Sequence, residues 1–386
     1  MAISSTDLLF AMPWIAAALL SPILMRKRPR LRDQPTLDPA DAPLVSVIVP
    51  ARNEARNLPG IVATLLTSRY PRYEIILVDD GSTDGTTEIA ERLAANHSDR
   101  IRVVHGEPLP DGWIGKCWAC WQGYLEAKGD VLAFSDADTR HHSHLLEHSV
   151  GALRANRAAL VTTLPRQLMF TFWERIVQPH VFAAILWRYR DPGHVNNTKN
   201  PRDVIANGQY MMFDREAYEA IGGHKAVKGD VVEDLVLAQK TVASGRRLFL
   251  GHGQDLIATR MYRSLPGIIE GWSKNLANAS RQTVDPWLRP MLPWLIAAFL
   301  IGFWVVPALA LLITPFLPIA SFGWALAAVL ASVMFWIWIH RRLRIPVLTA
   351  LLYPLGAIMV AGLFIRSAML GDTVTWRGRR YGGQRR

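Results

Sequence analysis

Residues 131–140 read VLAFSDADTR, a short apolar run that ends in two carboxylates. The run is suited to a buried strand, and Asp136 and Asp138 follow it with one small residue between them. Side chains two positions apart on an extended segment point to the same side, so the carboxylates leave the strand end as a pair. Such a pair suits Mg²⁺ or Mn²⁺, which combine one or two carboxylates with substrate phosphates. Taken alone, the triplet Asp-Ala-Asp at 136–138 is also typical of a solvated turn.

Strands and helices alternate around this segment, from residue 44 to about residue 253. β-branched runs predict strands, and runs with helical apolar spacing after turn residues predict helices. The predicted strands are residues 45–49, 74–78, 101–105 and 131–135, and the predicted helices are residues 53–66, 86–95 and 116–127. This alternation predicts an α/β fold with a Rossmann-like, mostly parallel sheet and right-handed crossovers.

Acidic side chains follow three of the predicted strands. They are Glu54 after the first strand, Asp79 and Asp80 after the second, and Asp136 and Asp138 after the fourth. Ligands of parallel sheets bind beyond the carboxyl ends of the strands, so these acids are expected around one crevice. A cation or a hydrogen-bonding ligand has to offset their repulsion. For Asp80, a turn residue that caps the next helix is an equally reasonable interpretation.

Apolar segments at both ends of the chain predict membrane helices. Residues 8–25 carry no charge over 18 positions, which is long enough to cross a bilayer. Because basic residues follow this segment at 26–32, it is predicted to be an uncleaved anchor, with residue 26 onward in the cytoplasm. Residues 291–339 and 345–365 are almost free of charge, and prolines at 307, 315 and 318 are expected to divide the first block into two spans.

The net charge of +11 is concentrated beside these apolar segments. Residues 26–32, 340–344 and 366–386 contain 14 of the 43 Lys and Arg residues. Basic residues in such places indicate a membrane surface rather than nucleic acid as the partner. Four full spans would place the Arg-rich tail outside the cell, against the positive-inside rule. Residues 345–370 are therefore predicted to be re-entrant or interfacial.

Cysteine and histidine residues provide no closed set of metal ligands. Cys117 and Cys120 form a Cys-x-x-Cys motif on a predicted helix, where packing is the expected role. The histidines at 141, 142 and 144 fit a polar loop that opens a helix, and His224 has no evident zinc partners. Zinc binding is therefore not expected.

The chain resembles the family 2 glycosyltransferases, enzymes of the GT-A fold that use nucleotide-sugar donors. The resemblance rests on VSVIVPARNE at 45–54, LVDDGSTD at 77–84 and DAD at 136–138, in the family's order and spacing. It covers roughly residues 44–285 and implies a catalytic domain there. An anchor with a basic linker at 1–43 and membrane or interfacial helices with a basic tail at 286–386 would flank it.

The resemblance also implies roles on the donor side. Glu54 and Asp80, with Asp79, are expected to hold the nucleoside. Asp138, with Asp136, is expected to bind the diphosphate through Mg²⁺ or Mn²⁺, although Asp136 could reach the ribose instead. Lys116 lies where the family often has a basic residue near the donor, and a solvated helix start explains it equally well.

On the acceptor side, Glu233 and Asp234 are the expected catalytic acids. A Glu-Asp at this place supplies the family's base, and Asp234 would take the proton of the acceptor hydroxyl. The metal would stabilise charge on the departing diphosphate. Acids that offset the dipole at a helix N-terminus are the alternative. Residues 206–213 and 221–224 resemble the acceptor side of the same family.

Two further segments bear on the acceptor. Processive members of the family carry Gln-x-x-Arg-Trp, whereas residues 270–275 read EGWSKN, so transfer of one sugar is expected rather than polymer synthesis. Trp272 and Lys274 are candidates to serve in place of the missing residues. Residues 169–187 predict a core helix or a helix on the membrane face.

Finer resemblances indicate membrane-bound lipid glycosyltransferases. LPDGWIGK at 109–116 is similar to the bacterial hopene-associated type, and TWRGRRY at 375–381 to the cytoplasmic end of ceramide-type glucosyltransferases. The expected protein is a multi-pass, inverting hexosyltransferase of the bacterial plasma membrane whose catalytic domain faces the cytoplasm. It would move one sugar from a UDP-linked donor to a lipid, in hopanoid biosynthesis.

Two other interpretations stay open at this point. The acceptor could be a polyprenyl phosphate or a carotenoid, or the protein could bind nucleotide sugars without catalysis. A transporter is not favoured, because the apolar segments contain no buried acids that could form a pathway.

Overall fold

The computed structural model describes residues 3–25, 29–190, 192–313, 323–371, 374–376 and 379–381. Outside these ranges lie Arg26, Lys27, Arg28, Pro315 and Pro318, together with positions 377–378 of the tail motif. The strands are β1 (Val45–Ala51), β2 (Tyr73–Asp79), β3 (Ile101–His105), β4 (Val131–Ser135), β5 (Thr139–His141), β6 (Ala158–Leu164), β7 (Arg166–Gln167), β8 (Tyr210–Asp214), β9 (Arg247–His252), β10 (Ile257–Thr259), β11 (Val374–Trp376) and β12 (Arg379–Tyr381).

The α-helices of the described chain are α1 (Ser5–Leu24), α2 (Leu58–Leu65), α3 (Thr86–Asn96), α4 (Gly115–Glu126), α5 (Leu145–Ala155), α6 (Phe172–Tyr189), α7 (Pro192–Asn197), α8 (Arg215–Ala220), α9 (Glu233–Ala243), α10 (Leu265–Arg281), α11 (Leu292–Leu300), α12 (Val306–Ile313), α13 (Gly323–Leu343) and α14 (Tyr353–Leu370). Residues 53–57 were expected to be helical, but α2 begins only at Leu58. Asn53 has a positive φ of 53°, and Pro59 occupies the first turn of α2, where its fixed φ suits a helix start.

A seven-stranded sheet forms the centre of the region between β1 and β9. Its strand order is β3-β2-β1-β4-β8-β6-β9. Strand β1 pairs in parallel with β2 and β4, β2 with β3, and β6 with β9. Only β8 is reversed in this sheet, because it runs antiparallel to both β4 and β6. The predicted mostly parallel α/β sheet is therefore confirmed.

The register of β1 brings the predicted acids to one edge. Ile48 of β1 lies opposite Phe134 of β4, so the chain leaves both strands on the same side of the sheet. Directly after Asp138 the chain forms β5, which pairs antiparallel with β10 in a separate three-stranded sheet. The loop at 136–138, which we call the acidic loop, thus lies between two sheets.

Both faces of the large sheet are covered, and alternate residues of β1 pack against the helices on opposite faces. Val47 and Val49 belong to the apolar cluster under α2 and α5, whereas Ile48 belongs to the cluster under α4 and α9. All three are fully buried. Each contributes about 1.5 to 3 kcal/mol by burial, so a site at this edge rests on a rigid support.

Within the described residues, four helices are long and apolar enough to cross a membrane, namely Ser5–Leu24, Leu292–Ile313, Gly323–Leu343 and Val347–Leu370. The second of these joins α11 and α12 through a π-helical turn at Ile301–Val305. The expected two spans of residues 291–339 are present as Leu292–Ile313 and Gly323–Leu343. Pro307 does not divide them, because it follows the π-helical turn inside α12. A π-turn accommodates proline because the helical hydrogen-bond pattern is already interrupted there.

Helices α1 and α13 run parallel, and a buried carboxylate holds their starts together. Asp7 forms a capping box with Ser4, and its Oδ1 accepts a hydrogen bond of 3.1 Å from the backbone N–H of Trp324. At the other end, Arg342 donates to the carbonyl of Met25, at 3.3 Å. Both helices therefore end beside the sheet region, where the linker at Arg30 pairs with His252.

Helix α14 stays next to α6 and α10 at both of its ends. Nε2 of His180 lies 2.9 Å from the carbonyl oxygen of Tyr353, and the N–H of Ala277 donates to Oγ of Ser367, at 3.0 Å. Helices α6 and α10 share one apolar cluster with the C-terminal helices. This arrangement favours the interfacial position for residues 345–370, which stays a prediction. The domain boundary at residue 285 also stays a prediction.

Replacement of Asp7 by Ala should loosen the contact between α1 and α13. The variant loses a helix cap and leaves the Trp324 N–H without its carboxylate, so we expect the free energy of unfolding to fall by about 1 to 3 kcal/mol. Thermal unfolding of the purified protein in detergent measures this loss. Asp33→Ala removes an exposed acid of the linker and is the matched control; equal stability of the two variants would contradict the role of Asp7.

Candidate functional site

A cavity of about 720 Å³ opens at the carboxyl edge of the sheet. It brings together residues from the end of β1, from the loops after β2 and β4, and from the starts of α4 and α9. The predicted site residues that line it are Glu54, Asp80, Lys116, Asp136, Asp138, Glu233 and Asp234, and Trp272 and Lys274 line it as well. Residues as far apart in the sequence as Glu54 and Lys274 thus share one space with the acids that follow β4.

Asp79 is the predicted site residue that does not line this cavity. It is 6% exposed, and its carboxylate accepts hydrogen bonds from the backbone N–H of Ser82 at 3.2 Å and from the hydroxyl of Thr87 at 2.7 Å. These bonds stabilise the turn before α3 and the first turn of that helix. The geometry therefore argues against donor binding by Asp79 and for a structural role, because both carboxylate oxygens face the turn.

Lys116 connects the two groups of acids. Its Nζ lies 2.8 Å from Oδ1 of Asp136 and 2.9 Å from Oε1 of Glu233. Burial acts to lower the pKa of Lys116, but the two carboxylates outweigh it and raise this pKa well above its ordinary value. The ammonium therefore stays charged. Burial acts to raise the pKa of Glu233, but Lys116 holds that pKa below its ordinary value, so Glu233 stays ionised.

Asp234 is held at the start of α9 by backbone groups. Its Oδ2 accepts a hydrogen bond from the N–H of Gly208 and its Oδ1 one from the N–H of Leu235, both at 2.8 Å. Burial, followed by the negative charge of Glu233, raises the pKa of Asp234 to about 6. A carboxylate of this pKa is ionised at neutral pH and still basic enough to accept a proton, as a general base requires.

Gly208 is a site residue whose part the sequence did not reveal. A Cβ atom at this position would lie 3.1 Å from both Oδ2 of Asp234 and Nζ of Lys116. Glycine therefore lets the backbone approach the two charged groups closely. The only signal in the sequence was its place in the stretch at 206–213 that resembles the acceptor side.

Asp138 has the environment of a metal ligand. Burial, then the charges of Asp136 and Glu54, raise its pKa from its ordinary value of 3.8 to about 7. Its Oδ1 is buried and has no hydrogen-bond partner within the described part of the chain. The described residues contain no ready cluster of three or more metal-binding side chains. Two carboxylates fit a divalent cation whose other ligands are phosphate oxygens and water.

Residues beneath the acidic loop keep it in place. Oγ of Ser135 lies 2.9 Å from Nε2 of His141, and the Thr139 hydroxyl donates to the carbonyl of Asp136 at 2.9 Å. Burial lowers the pKa of His141 to about 3, so this histidine is neutral. It supports the loop from below, and the expected polar loop at 141–144 is wrong for His141, which is buried in β5.

His224 and the two cysteines are core residues. His224 is fully buried, and its Nδ1 lies 2.8 Å from the Tyr218 hydroxyl. Burial lowers the pKa of His224 to about 3. Cys117 and Cys120 are buried free thiols in α4, and burial raises both pKa values. None of these three residues, His224, Cys117 and Cys120, has the exposure that a metal or redox site needs.

The far end of the cavity is apolar and aromatic. It reaches from the carboxylates past α6 and α10 to the helices at the C-terminus, and its lining there includes Phe182, Trp187, Ile296, Phe299, Leu300, Trp304, Phe335 and Phe364. Trp272 stands between the two ends of the cavity and is 6% exposed. Its indole N–H has no hydrogen-bond partner among the described residues. One space therefore joins a charged site to an apolar one.

Comparisons with known proteins agree with this geometry. Residues 46–222 match the model of the family named Glycosyl transferase family 2. Two similar proteins are the 4,4'-diaponeurosporenoate glycosyltransferases of Staphylococcus aureus strains MRSA252 and USA300. Each is 25% identical to this chain, over 356 and 353 residues, and each alignment covers 87% of this chain and 88% of the relative.

A solved structure with the same fold is the mannosyltransferase PcManGT from Pyrobaculum calidifontis, in complex with GDP-Man and Mn²⁺. It is 20% identical, has a TM-score of 0.57, and the match covers 94% of this chain and 98% of that one. The likeness extends beyond the sheet to nearly the whole chain. Residues 46–222 thus form a family 2 glycosyltransferase domain, and the protein is a glycosyltransferase of the GT-A fold.

Proposed function

We propose that this enzyme transfers one sugar from a nucleotide-sugar donor to a long apolar lipid at the membrane surface, with the help of a divalent metal. The observation that carries the proposal is the continuous cavity, which joins the acids around Lys116 to an aromatic channel among the apolar helices. A soluble acceptor would have no need of this channel, whereas a lipid chain could lie in it.

Donor binding is assigned to the acids at the ends of β1, β2 and β4. Glu54 and Asp80 would contact the nucleoside, and Asp136 and Asp138 would hold Mg²⁺ or Mn²⁺. When bound, the metal neutralises charge on the diphosphate as that group departs. The Asp138 oxygen without a partner supports this assignment, as does the Mn²⁺ bound in the related mannosyltransferase. A UDP-linked donor stays a prediction.

In the transfer step, the acceptor oxygen attacks the anomeric carbon while the bond from that carbon to the phosphate oxygen breaks. The bonding electrons leave with the diphosphate. For a hydroxyl acceptor, Asp234 receives the proton, and attack and departure in one displacement invert the anomeric centre. Lys116 keeps Glu233 ionised, and Glu233 in turn raises the pKa of Asp234.

The acceptor is proposed to be a carotenoid-type lipid. The two staphylococcal relatives are named for such a substrate, which favours the carotenoid over the hopanoid or polyprenyl phosphate alternatives. The aromatic lining of the channel between α6, α11 and α13 also suits an extended polyene chain. The relatives' acceptor is named as a carboxylate, and an oxygen of that kind has no proton to lose to Asp234.

Asp234→Asn should lower sugar transfer to a hydroxyl acceptor by about 100-fold or more, because general-base catalysis contributes about 10² to 10⁴. For the unchanged enzyme, kcat should fall as the pH drops below about 6, where Asp234 becomes protonated. Initial rates across this pH range, measured as nucleoside diphosphate release, test both statements.

Asp99→Asn, which changes an exposed acid, is the control for Asp234→Asn and should keep full activity. A flat pH profile together with an active Asp234→Asn variant would contradict catalysis by this residue.

Asp138→Asn should stabilise the protein in metal-free buffer at pH 8. The pKa of Asp138 is raised in the folded state, so its carboxylate costs folding free energy as the pH rises from about 4 to 7, and the full cost remains above 7. The variant lacks this cost, and the difference from the unchanged protein should disappear near pH 4. Thermal unfolding curves at both pH values measure it.

Exposed Asp111→Asn is the control for Asp138→Asn and should change stability little at either pH. Addition of Mn²⁺ with a nucleoside diphosphate should stabilise the unchanged protein and leave Asp138→Asn nearly unaffected. A variant that is less stable than the unchanged protein at pH 8 would show that Asp138 is not under electrostatic strain.

Ala184→Phe should obstruct the channel. Ala184 lies on α6 and lines the cavity, so a phenyl ring there would fill space that the acceptor chain needs. We expect the KM for the lipid to rise at least several-fold, while donor hydrolysis in the absence of lipid is unchanged. Ala155→Phe, on the exposed end of α5, is the control. An unchanged KM in Ala184→Phe would place the acceptor elsewhere.

A further inference from the structure

A second, smaller cavity of about 280 Å³ lies where α1 and α13 end beside the sheet region. Its lining consists of polar and charged residues, namely Arg30, His252, Gln254, Asp255, Arg342 and Arg344. We call it the arginine pocket. The transfer reaction described above uses none of these side chains, although three of them also touch the wall of the large cavity.

The arginine pocket carries an excess of positive charge. Nη2 of Arg30 lies 2.5 Å from one oxygen of Asp255, and Nη2 of Arg344 lies 2.8 Å from the other. Hydrogen bonds from Arg344 and then from Arg30 hold the pKa of Asp255 below its ordinary value, so it is ionised. Three guanidinium groups and a single carboxylate thus line the pocket, two of the three guanidinium groups contact that carboxylate, and these four side chains have a net charge of +2.

The backbone is shaped to bring these arginines together. Arg344 has a φ of +59°, a left-handed conformation that is uncommon for residues other than glycine. This conformation turns the chain directly after α13 and lets Arg344 reach Asp255. On the other side, the N–H of His252 donates to the carbonyl of Pro29 at 2.8 Å, which fixes the linker that carries Arg30.

The position of the pocket is that of a membrane interface. Helices α1 and α13 are both long and apolar enough to cross a membrane, and they end side by side at this place, where Arg342 donates to the carbonyl of Met25. In the sequence, three further basic residues at 26–28 follow α1 directly. Lipid headgroups therefore lie at the depth at which these arginines are exposed.

We propose that the arginine pocket binds the phosphate of an anionic phospholipid in the leaflet next to the catalytic domain. Guanidinium groups bind phosphate oxygens through paired hydrogen bonds, and basic pockets between membrane helices suit anionic headgroups. A volume of about 280 Å³ accommodates a headgroup but not an acyl chain, which would remain in the bilayer along α1 and α13. A bound lipid would tie the anchor to the C-terminal helices.

The experiment uses the purified full-length chain in neutral detergent, with thermal unfolding as the readout. Phosphatidylglycerol, phosphatidylcholine and inorganic phosphate are added separately over a range of concentrations. Because only the shift that each addition produces is compared, a lower stability of a variant by itself does not affect the result. The readout is independent of sugar transfer, so it stands even if the proposed reaction fails.

We expect phosphatidylglycerol to raise the unfolding temperature and phosphatidylcholine to have little effect. Arg344→Gln should weaken the apparent affinity for phosphatidylglycerol about tenfold, which corresponds to the loss of one charged hydrogen-bonding group. Arg344→Lys keeps the charge but not the paired hydrogen bonds and should weaken it to a lesser degree. Arg341→Gln removes an exposed arginine on the same helix end, outside the pocket, and should bind as the unchanged protein does.

Two results would overturn the proposal. Equal losses in Arg341→Gln and Arg344→Gln would mean that diffuse surface charge, rather than the arginine pocket, attracts the lipid. Stabilisation by inorganic phosphate that phosphatidylglycerol does not exceed would assign the pocket to a soluble phosphate instead of a lipid.

Discussion

The ion pairs of Lys116 with Asp136 and Glu233 are the interaction on which the site depends. Asp136 follows β4 in the acidic loop, whereas Glu233 opens α9, about a hundred positions later in the chain. Without a cation between them, the six carboxylates that line the cavity at this edge of the sheet would repel one another in a partly buried space. Lys116 holds Asp136 and Glu233 together, and it keeps Glu233 ionised next to Asp234, whose pKa burial and the charge of Glu233 raise to about 6.

The same edge is where the two halves of the protein meet. The rigid sheet presents the carboxylates, and α6 and α10 connect them to the apolar helices, because these two helices pack in one cluster with α11, α13 and α14. An enzyme that joins a charged sugar donor to an apolar acceptor has to bring water-soluble and membrane-soluble groups to one point. The continuous cavity provides such a point, with Trp272 between its polar and apolar ends.

Local sequence patterns predicted much of this arrangement. The alternating strands and helices of the α/β fold were predictable because hydrophobic periodicity is a local property. The meeting of the acids was predictable because the carboxyl ends of parallel strands lie at one edge of the sheet. For Asp79 the geometry favours a structural role over the predicted donor binding, because spacing does not reveal which of two adjacent acids faces the turn and which lines the cavity. The hydrogen bond from Gly208 to Asp234, the support of the loop by His141 and the arginine pocket depend on tertiary contacts between distant segments, which no local pattern reports. Pro307 was expected to interrupt a helix but does not, because the π-helical turn before it accommodates the proline.

Sugar incorporation into lipid tests the central claim most directly. The purified enzyme is incubated with Mn²⁺, a carotenoid-rich lipid extract and a panel of radiolabelled nucleotide sugars, and the organic phase is counted and analysed by mass spectrometry. The account predicts label from one donor in a lipid heavier by a single sugar residue, with no label when both Asp136 and Asp138 are replaced by Asn. Label that stays in the aqueous phase for every donor, or lipid products that carry sugar polymers, would contradict it.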